Sequence, residues 1–181
     1  MADQHRKWPA LTLMRHTEAD LPPVGATDID RPLTDRGCRE ARLAGRRLAR
    51  ERLLPDLIIA SDSMRTMFTA RYLLAGAERR RPVILLPDLY DSGPDTIFEA
   101  AAAHADPLAG HVLVLAHNPG IAAAALHLAG SASSGKNDIQ EFPPGTMAIF
   151  TLHGGNWNRI RPENTSLEQV LYPADYAAAS S

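Results

Sequence analysis

The chain has 181 residues, enough for one domain with a full hydrophobic core, and we expect a single domain over residues 1–181. Its 19 Lys and Arg residues nearly balance 21 Asp and Glu residues, and the formal net charge of -2 excludes a general attraction to nucleic acid or to an anionic membrane. A single cysteine, Cys38, excludes an internal disulfide, and with no apolar leader and no run of the roughly 20 apolar residues that span a bilayer, we expect a cytoplasmic protein.

The first predicted strand is the short apolar run at residues 11–14, which leads directly into Arg15 and His16. Residues 18–33 follow with three prolines and several aspartates, which predicts a long loop of the kind that is often functional. In open α/β sheets, ligands bind at the carboxyl edge of the strands. Arg15 and His16 therefore lie where a binding site is expected.

Short apolar strands then alternate with helices. After the first strand, we predict a helix from about Asp35 to Leu53 that Thr34 caps, a strand at 57–60 and a helix over Met64 to Leu74. A strand at 83–86, a helix from about Pro94 to Ala105 and a strand at 112–116 follow. The next helix opens at 117–120 with Pro119 in its first position and ends at Gly130, and a last strand lies near Thr146 to Leu152. This alternation predicts a three-layer α/β/α fold with a mostly parallel central sheet.

Three polar clusters follow predicted strands, namely Arg15 with His16, then Arg65, and finally His117 with Asn118. Parallel strands joined by right-handed crossovers bring their carboxyl ends to one edge of a sheet, so these clusters are predicted to form one pocket. A phosphate group fits such a pocket, because guanidinium groups match its oxygens and stay charged. We expect Asn118 to cap the following helix and to offer its backbone N–H to the phosphate.

Two imidazoles in a phosphate pocket indicate covalent chemistry. A ring that donates one N–H to a carbonyl keeps its other nitrogen available to attack phosphorus, while the arginines neutralise the phosphoryl oxygens. A metal centre on His16, His117 and Asp91 is the chemical alternative. Two adjacent arginines would oppose a dication and no ligand-rich spacing is present, so we expect no metal and no cofactor.

Three segments resemble, in order, the three signatures of the histidine phosphatase superfamily, which is also called phosphoglycerate-mutase-like. The segments are LMRHT at 13–17, SDSMRTMFTA at 61–70 and LAHNPG at 115–120. Two others, PLTDRG at 32–37 and FPPGT at 142–146, resemble the small phosphohistidine phosphatase branch in particular. The resemblance runs from about Leu11 to Pro173 and implies a phosphoglycerate-mutase-like fold.

The resemblance also implies roles for residues of the pocket. His16 would be the nucleophile, Arg15 and Arg65 the phosphate clamp, and His117 the second histidine that binds the phosphoryl group. Asp91 falls where many members place an acidic general acid, and Asp88 is its nearest alternative.

One departure from the superfamily pattern bears on the activity. Thr17 replaces the usual glycine after the nucleophile, a change associated with the small phosphatase branch, which disfavours a mutase. The sequence thus predicts a phosphatase that acts through a phosphohistidine intermediate, on phosphomonoesters or on protein phosphohistidine. Its expected partners are a phosphorylated small molecule or a phosphohistidine-bearing protein.

Two other functions remain open at this point. A phosphoglycerate-type mutase needs a lid that retains its intermediate, and only 25 residues, 92 to 116, separate Asp91 from His117. A non-catalytic phosphoprotein-binding module would keep the clamp, but binding alone does not require a nucleophile. Both alternatives therefore explain the sequence less completely than a phosphatase does.

Overall fold

A six-stranded mixed sheet forms the centre of the computed structural model, which describes residues 8–130, 139 and 141–177. Its strands are β1 Ala10–Arg15, β2 Leu57–Ala60, β3 Val83–Leu85, β4 His111–Ala116, β5 Met147–Leu152 and β6 Thr165–Leu171. They are arranged in the order β3-β2-β4-β1-β5-β6. The first four are parallel, and β5 and β6 are antiparallel to their neighbours. The prediction of a mostly parallel sheet is confirmed.

Helices cover both faces of this sheet. They are α1 Asp35–Arg50, α2 Met64–Ala77, α3 Pro94–His104, α4 Gly120–Ala129 and α5 Pro173–Ala177. One buried cluster joins α1, α2 and α5 to the sheet through Leu48, Leu73 and Tyr176. The other joins α3 and α4 to the opposite face through Ile97 and Ile121. The predicted three-layer α/β/α fold is therefore confirmed.

The strands under the pocket are buried on both faces, as expected when helices cover both sides of a parallel sheet. Every residue of β4 is buried, and so is every residue of β2. Helices α1 and α2 begin at hydroxyl caps, of which the Thr34 cap was predicted. Thr34 accepts the backbone N–H of Gly37, and Ser63 accepts that of Thr66. Rigid strands and capped helices thus define the position of each polar cluster.

Two close approaches between backbones place the walls of the pocket. A Cβ atom on Gly45 in α1 would lie 1.8 Å from the Leu73 carbonyl oxygen in α2, so only glycine lets these helices come this close. A Cβ atom on Gly120 would lie 1.8 Å from the Ser92 carbonyl oxygen. The second contact brings the loop after β3 against the start of α4, next to His117.

The predicted end of the sheet was wrong, because β6 and α5 follow the strand that we expected to be the last. In β6, most residues are only partly buried, and polar residues such as Ser166 and Gln169 interrupt its apolar pattern. An edge strand needs fewer apolar residues than a central one, so its signal in the sequence is weak.

Two helix boundaries also differ from the predictions. Helix α1 ends at Arg50 instead of Leu53, because Arg52 adopts a left-handed φ of 57° and the Leu53 N–H donates to the Leu48 carbonyl at 2.7 Å. Helix α4 begins at Gly120, and Pro119 is its N-cap, not its first helical residue. The predicted end of α4 at Gly130 is confirmed.

No helix in the ranges that the structure describes is long and apolar enough to cross a membrane. Residues 1–7, which belong to the segment in which we expect no leader, lie outside the described part of the chain.

Candidate active site

A pocket of about 450 Å³ lies at the carboxyl edge of β1, β2 and β4, where the sequence predicted a binding site. Its lining residues are Arg15, His16, Glu18, Ala19, Asp28, Arg31, Arg65, Tyr90, Asp91, His117, Asn118 and Pro144. The structure therefore brings together all six residues predicted for the site. Asp88, the alternative to Asp91, is not among the residues that line it.

His16 is buried directly after β1, and its hydrogen bond defines which ring nitrogen is unprotonated. The Nδ1–H donates to the Thr17 carbonyl at 2.7 Å, and since a carbonyl can only accept, the lone pair of the neutral ring lies on Nε2. Burial, together with His117, Arg65 and Arg15, lowers the pKa of His16 to about 3 against the opposing effect of the Thr17 hydrogen bond. The ring is consequently neutral at pH 7, as a nucleophile must be.

His117 follows β4 and carries its proton on the other nitrogen type. Its Nδ1 accepts the Nε–H of Arg65 at 3.3 Å, which leaves the proton on Nε2, 3.5 Å from the Ser63 hydroxyl. Burial first, then Arg65 and Arg15, lower the pKa of this histidine to about 4, although Asp28 opposes the change. The rings of His16 and His117 lie 5.3 Å apart. One thus offers a lone pair to the pocket and the other an N–H donor.

Arg15 presents an unsatisfied cationic donor. Its Nη1 donates to the Phe142 carbonyl at 3.0 Å, whereas its Nε is buried without a hydrogen-bond partner among the described residues. Burial, with Arg31 and Arg65 nearby, lowers the pKa of this guanidinium. A buried donor without a partner is unfavourable unless a ligand satisfies it.

Arg65 lies in the first turn of α2 and is 5% exposed. Its Nη1 donates to the Asp28 carbonyl at 2.6 Å and its Nη2 to Asp28 Oδ2 at 3.0 Å. The same carboxylate oxygen accepts the Tyr90 hydroxyl at 2.5 Å. The long loop between β1 and α1 is therefore tied to the centre of the pocket through Asp28.

Sequence reasoning missed four charged or polar residues of the pocket. Asp28, Arg31 and Glu18 belong to the long loop, and Tyr90 precedes Asp91. The length and proline content of that loop indicated a functional segment, but they did not indicate which of its residues turn towards the site.

Arg31 is a third guanidinium at the pocket, and the loop itself holds it in place. It donates to the backbone carbonyls of Asp20 at 2.7 Å and of Ala19 at 3.3 Å, and it contacts Asp28 Oδ1 at 3.4 Å. Its positive charge adds to that of the two predicted arginines.

The remaining predicted residues lie on the rim. Asp91 is exposed and adopts a left-handed φ of 53°, which aspartate tolerates better than most residues. The expectation that Asn118 caps α4 was wrong, since Pro119 is the N-cap and the Asn118 side chain donates to the Phe142 carbonyl at 3.0 Å. Within the described residues, no three His, Cys, Asp or Glu side chains form a group that could hold a metal ion.

The neutral histidines lead to a prediction about stability. Because their pKa values of about 3 and about 4 lie below the usual 6.5, the unfolded chain takes up protons between pH 6.5 and pH 4 that the folded chain does not. The contribution of the two histidines to the free energy of unfolding therefore has its full value above pH 6.5. We expect the free energy of unfolding to fall on acidification by about 1.4 kcal/mol per pH unit for each ring.

Denaturant unfolding at pH 7, 6 and 5 measures this effect. His16→Gln should show a shallower dependence on pH than the wild type, and the exposed His127→Gln should not. Identical slopes for His16→Gln and the wild type would contradict the predicted neutral state of His16.

Comparison with known proteins identifies the family. A model of the histidine phosphatase superfamily (branch 1) matches residues 11–93. The uncharacterized protein ML1117 of Mycobacterium leprae is 32% identical over 168 residues, which cover 88% of this chain and 99% of that protein. A structure assigned as phosphohistidine phosphatase SixA from Nakamurella multipartitia is 30% identical, with a TM-score of 0.77 and coverage of 93% of this chain and 98% of that chain.

A further solved structure, protein histidine phosphatase SixA complexed with tungstate, is 22% identical, has a TM-score of 0.74, and covers 92% of this chain and 98% of that chain. At this identity the likeness shows the fold alone. The family-model match and the likeness to the Nakamurella protein over nearly the whole of both chains lead to the same conclusion: the chain belongs to the histidine phosphatase superfamily and has the α/β fold of its members.

Proposed function

We propose that this protein is a metal-independent phosphatase that hydrolyses phosphomonoesters or protein phosphohistidine through a phosphohistidine formed on His16. The hydrogen bond from His16 Nδ1–H to the Thr17 carbonyl carries this proposal, because it leaves Nε2 unprotonated in a pocket that Arg15 and Arg65 also line. We further propose that residues 1–181 act as one catalytic domain in the cytoplasm, in keeping with the composition.

In the first step, the lone pair of His16 Nε2 attacks phosphorus, and the bond from phosphorus to the leaving group breaks. Arg15 and Arg65 neutralise the phosphoryl oxygens, and the Nε2–H of His117 exchanges its 3.5 Å contact with the Ser63 hydroxyl for a contact with one of them. Positive charge develops on the His16 ring, and the hydrogen bond from Nδ1–H to Thr17 strengthens as it does so. The ring tolerates this charge because the negative phosphoryl group now faces Arg15 and Arg65, whose positive charges help to lower the pKa of His16 in the empty pocket.

In the second step, a water molecule attacks phosphorus from the side opposite His16. The bond between phosphorus and Nε2 breaks, and its electron pair returns to Nε2. Inorganic phosphate leaves with one proton of the water, and the other proton passes to Asp91, where Asp91 has protonated the leaving group, or to solvent. His16 is thereby restored as the neutral tautomer held by Thr17. Asn118, on the rim, is proposed to contact the phosphoryl group through its backbone.

The charges of the pocket favour a substrate that carries no further anionic group beside its phosphoryl group. Glu18, Asp28 and Asp91 line the same cavity as the arginines, and they would repel the additional negative charges of a phosphoglycerate. Asp28, Asp91 and Asn118 are also exposed, which leaves the pocket accessible to water and to a side chain of another protein. These features support hydrolysis over a mutase reaction, and they support protein phosphohistidine as a substrate class.

Turnover by chelated protein tests the proposal. We expect p-nitrophenyl phosphate to be hydrolysed in excess EDTA at the same rate as without EDTA, because the arginines and N–H donors stabilise the phosphoryl oxygens without a metal ion. We also expect tungstate to inhibit competitively. A panel of phosphohistidine peptides, sugar phosphates and phosphoglycerates then ranks the substrates by kcat/KM.

Three results would contradict the proposal. Activity that needs added zinc or magnesium would overturn metal independence. Transfer of the phosphoryl group between the two positions of a phosphoglycerate would indicate a mutase. Tight binding of a phosphohistidine peptide without release of phosphate would indicate a binding module.

Asp91 is expected to matter according to the leaving group. An alkoxide needs a proton as it leaves, and a positioned acid contributes about 10²- to 10⁴-fold. Nitrophenolate needs almost none, and an imidazole leaves already protonated on its far nitrogen. We therefore expect Asp91→Asn to slow hydrolysis of an alkyl phosphate by at least about tenfold while sparing p-nitrophenyl phosphate and phosphohistidine.

Asp88→Asn is the matched control, because Asp88 lies three residues away and outside the pocket lining. The comparison requires kcat/KM for all three substrates in both variants. An equal effect of Asp91→Asn on all three would make Asp91 a structural residue, and a larger effect of Asp88→Asn would transfer the acid role to Asp88.

A further inference from the structure

We propose that Asp28 is a positioning residue for Arg65, holding the guanidinium so that its Nε–H edge faces His117 and the phosphoryl site. The inference deepens the proposed function, on which it rests in part. Asp28 lies in the 3₁₀ turn Asp28–Asp30, within the long loop that joins β1 to α1.

The contacts of Asp28 occupy one edge of the Arg65 guanidinium. Its carbonyl oxygen accepts from Nη1 at 2.6 Å and its Oδ2 from Nη2 at 3.0 Å, so a single residue holds both terminal nitrogens. The Nε–H on the other edge then points to His117 Nδ1 at 3.3 Å. A guanidinium that is held at all three nitrogens presents its remaining N–H groups in a defined direction, as the binding of an oxyanion requires.

Tyr90 completes the arrangement from the loop after β3. Its hydroxyl donates to Asp28 Oδ2, and its ring lies under the Arg65 guanidinium at 5.5 Å and edge-on to the His117 ring at 5.2 Å. Tyr90 thus holds the Asp28 carboxylate in place and also packs against Arg65 and His117. The Tyr90 hydrogen bond, followed by the charge of Arg65, holds the pKa of the Asp28 carboxyl below its usual range.

A negative charge beside a phosphate-binding arginine has two opposite effects. It restricts the guanidinium to one orientation, which helps the transition state, and it lowers the net positive charge that attracts the phosphate. Removal of the charge should therefore reduce kcat without weakening the binding of an oxyanion. Loss of a merely structural residue would impair both.

The test compares Asp28→Asn with Asp30→Asn. Asp30 lies in the same 3₁₀ turn, but its carboxylate binds the Thr27 backbone and hydroxyl and has no contact with Arg65. We expect Asp28→Asn to lower kcat about tenfold, the low end for a charged hydrogen bond, because the Asp28 side chain is 55% exposed. We expect the inhibition constant of tungstate to stay the same or to decrease.

Two kinetic outcomes would overturn the inference. An unchanged or higher kcat in Asp28→Asn would make Asp28 a competitor of the substrate for Arg65. A fall in kcat with a proportional loss of tungstate affinity, reproduced by Asp30→Asn, would mean that the loop only needs to be folded.

A spectroscopic readout separates this inference from the proposed function. The ¹H–¹⁵N signal of Arg65 Nε–H, assigned by its loss in Arg65→Lys, should shift and broaden in Asp28→Asn and stay unchanged in Asp30→Asn. An unchanged signal in Asp28→Asn would overturn the positioning role even in an active phosphatase. A changed signal in a protein without phosphatase activity would uphold the positioning role and refute the proposed function alone.

Discussion

Replacement of His16 by alanine is expected to lower kcat by at least about 10⁴-fold, because the covalent route is lost together with its nucleophile. The other histidine cannot substitute for it. His117 Nδ1 accepts from Arg65, so its unprotonated nitrogen faces a guanidinium and its proton lies on Nε2. Only the clamp would remain in the variant, and it would still bind an oxyanion.

Rapid-quench labelling with a phosphorylated substrate measures this loss directly. Phosphohistidine is labile in acid and stable in base, so the wild type should carry a label that survives only the alkaline quench. His16→Ala should carry none. The matched control is His127→Ala, because His127 is exposed on α4 outside the pocket lining. A label that survives acid, or one that appears on His117 in the variant, would refute the assignment of the nucleophile.

The second large effect is expected for the arginines. Arg65→Lys keeps the charge but loses the planar guanidinium, and a lysine ammonium cannot donate hydrogen bonds to Asp28 and His117 from two edges at once. We expect kcat/KM to fall by about 10²- to 10³-fold, as for the removal of one preorganised donor. Arg15→Lys should have a similar effect, since lysine has no equivalent of the buried Nε.

Arg71→Lys provides the control for both variants. Arg71 lies six residues further along α2, is exposed, and contacts the Phe68 ring instead of the pocket. Steady-state kinetics with p-nitrophenyl phosphate should leave this control near the wild type. Near-normal activity in both Arg15→Lys and Arg65→Lys would place the phosphate clamp elsewhere.

The sequence alone was sufficient to predict most of the layered fold. The apolar runs before His16 and His117 are fully buried central strands, for which continuous apolar sequence is a strong signal. The prediction from sequence failed at the edge of the sheet. There β6 alternates too poorly to be recognised, and the fold depends on pairing with β5, which no local pattern reveals.

The prediction that the site residues come together at one edge of the sheet followed from its topology. Arg15 with His16, Arg65 and His117 are far apart in the chain, yet each lies at or after the carboxyl end of a parallel strand, and right-handed crossovers bring such positions to one edge. Asp28 and Tyr90 could not be found in this way. They lie in loops, whose course depends on contacts such as that between Gly120 and Ser92.

The sequence by itself determined which residue types meet at the sheet edge, because alternating strands and helices with right-handed crossovers bring the carboxyl ends of parallel strands together. Only the tertiary structure decided their chemical states. The tautomers of His16 and His117 depend on a carbonyl and a guanidinium placed within about a hydrogen-bond length. Their pKa values depend on burial under layers from the whole chain, and the partners of Arg15 and Arg65 lie 127 and 37 residues away. Distances of this kind are set by packing, which local sequence does not encode.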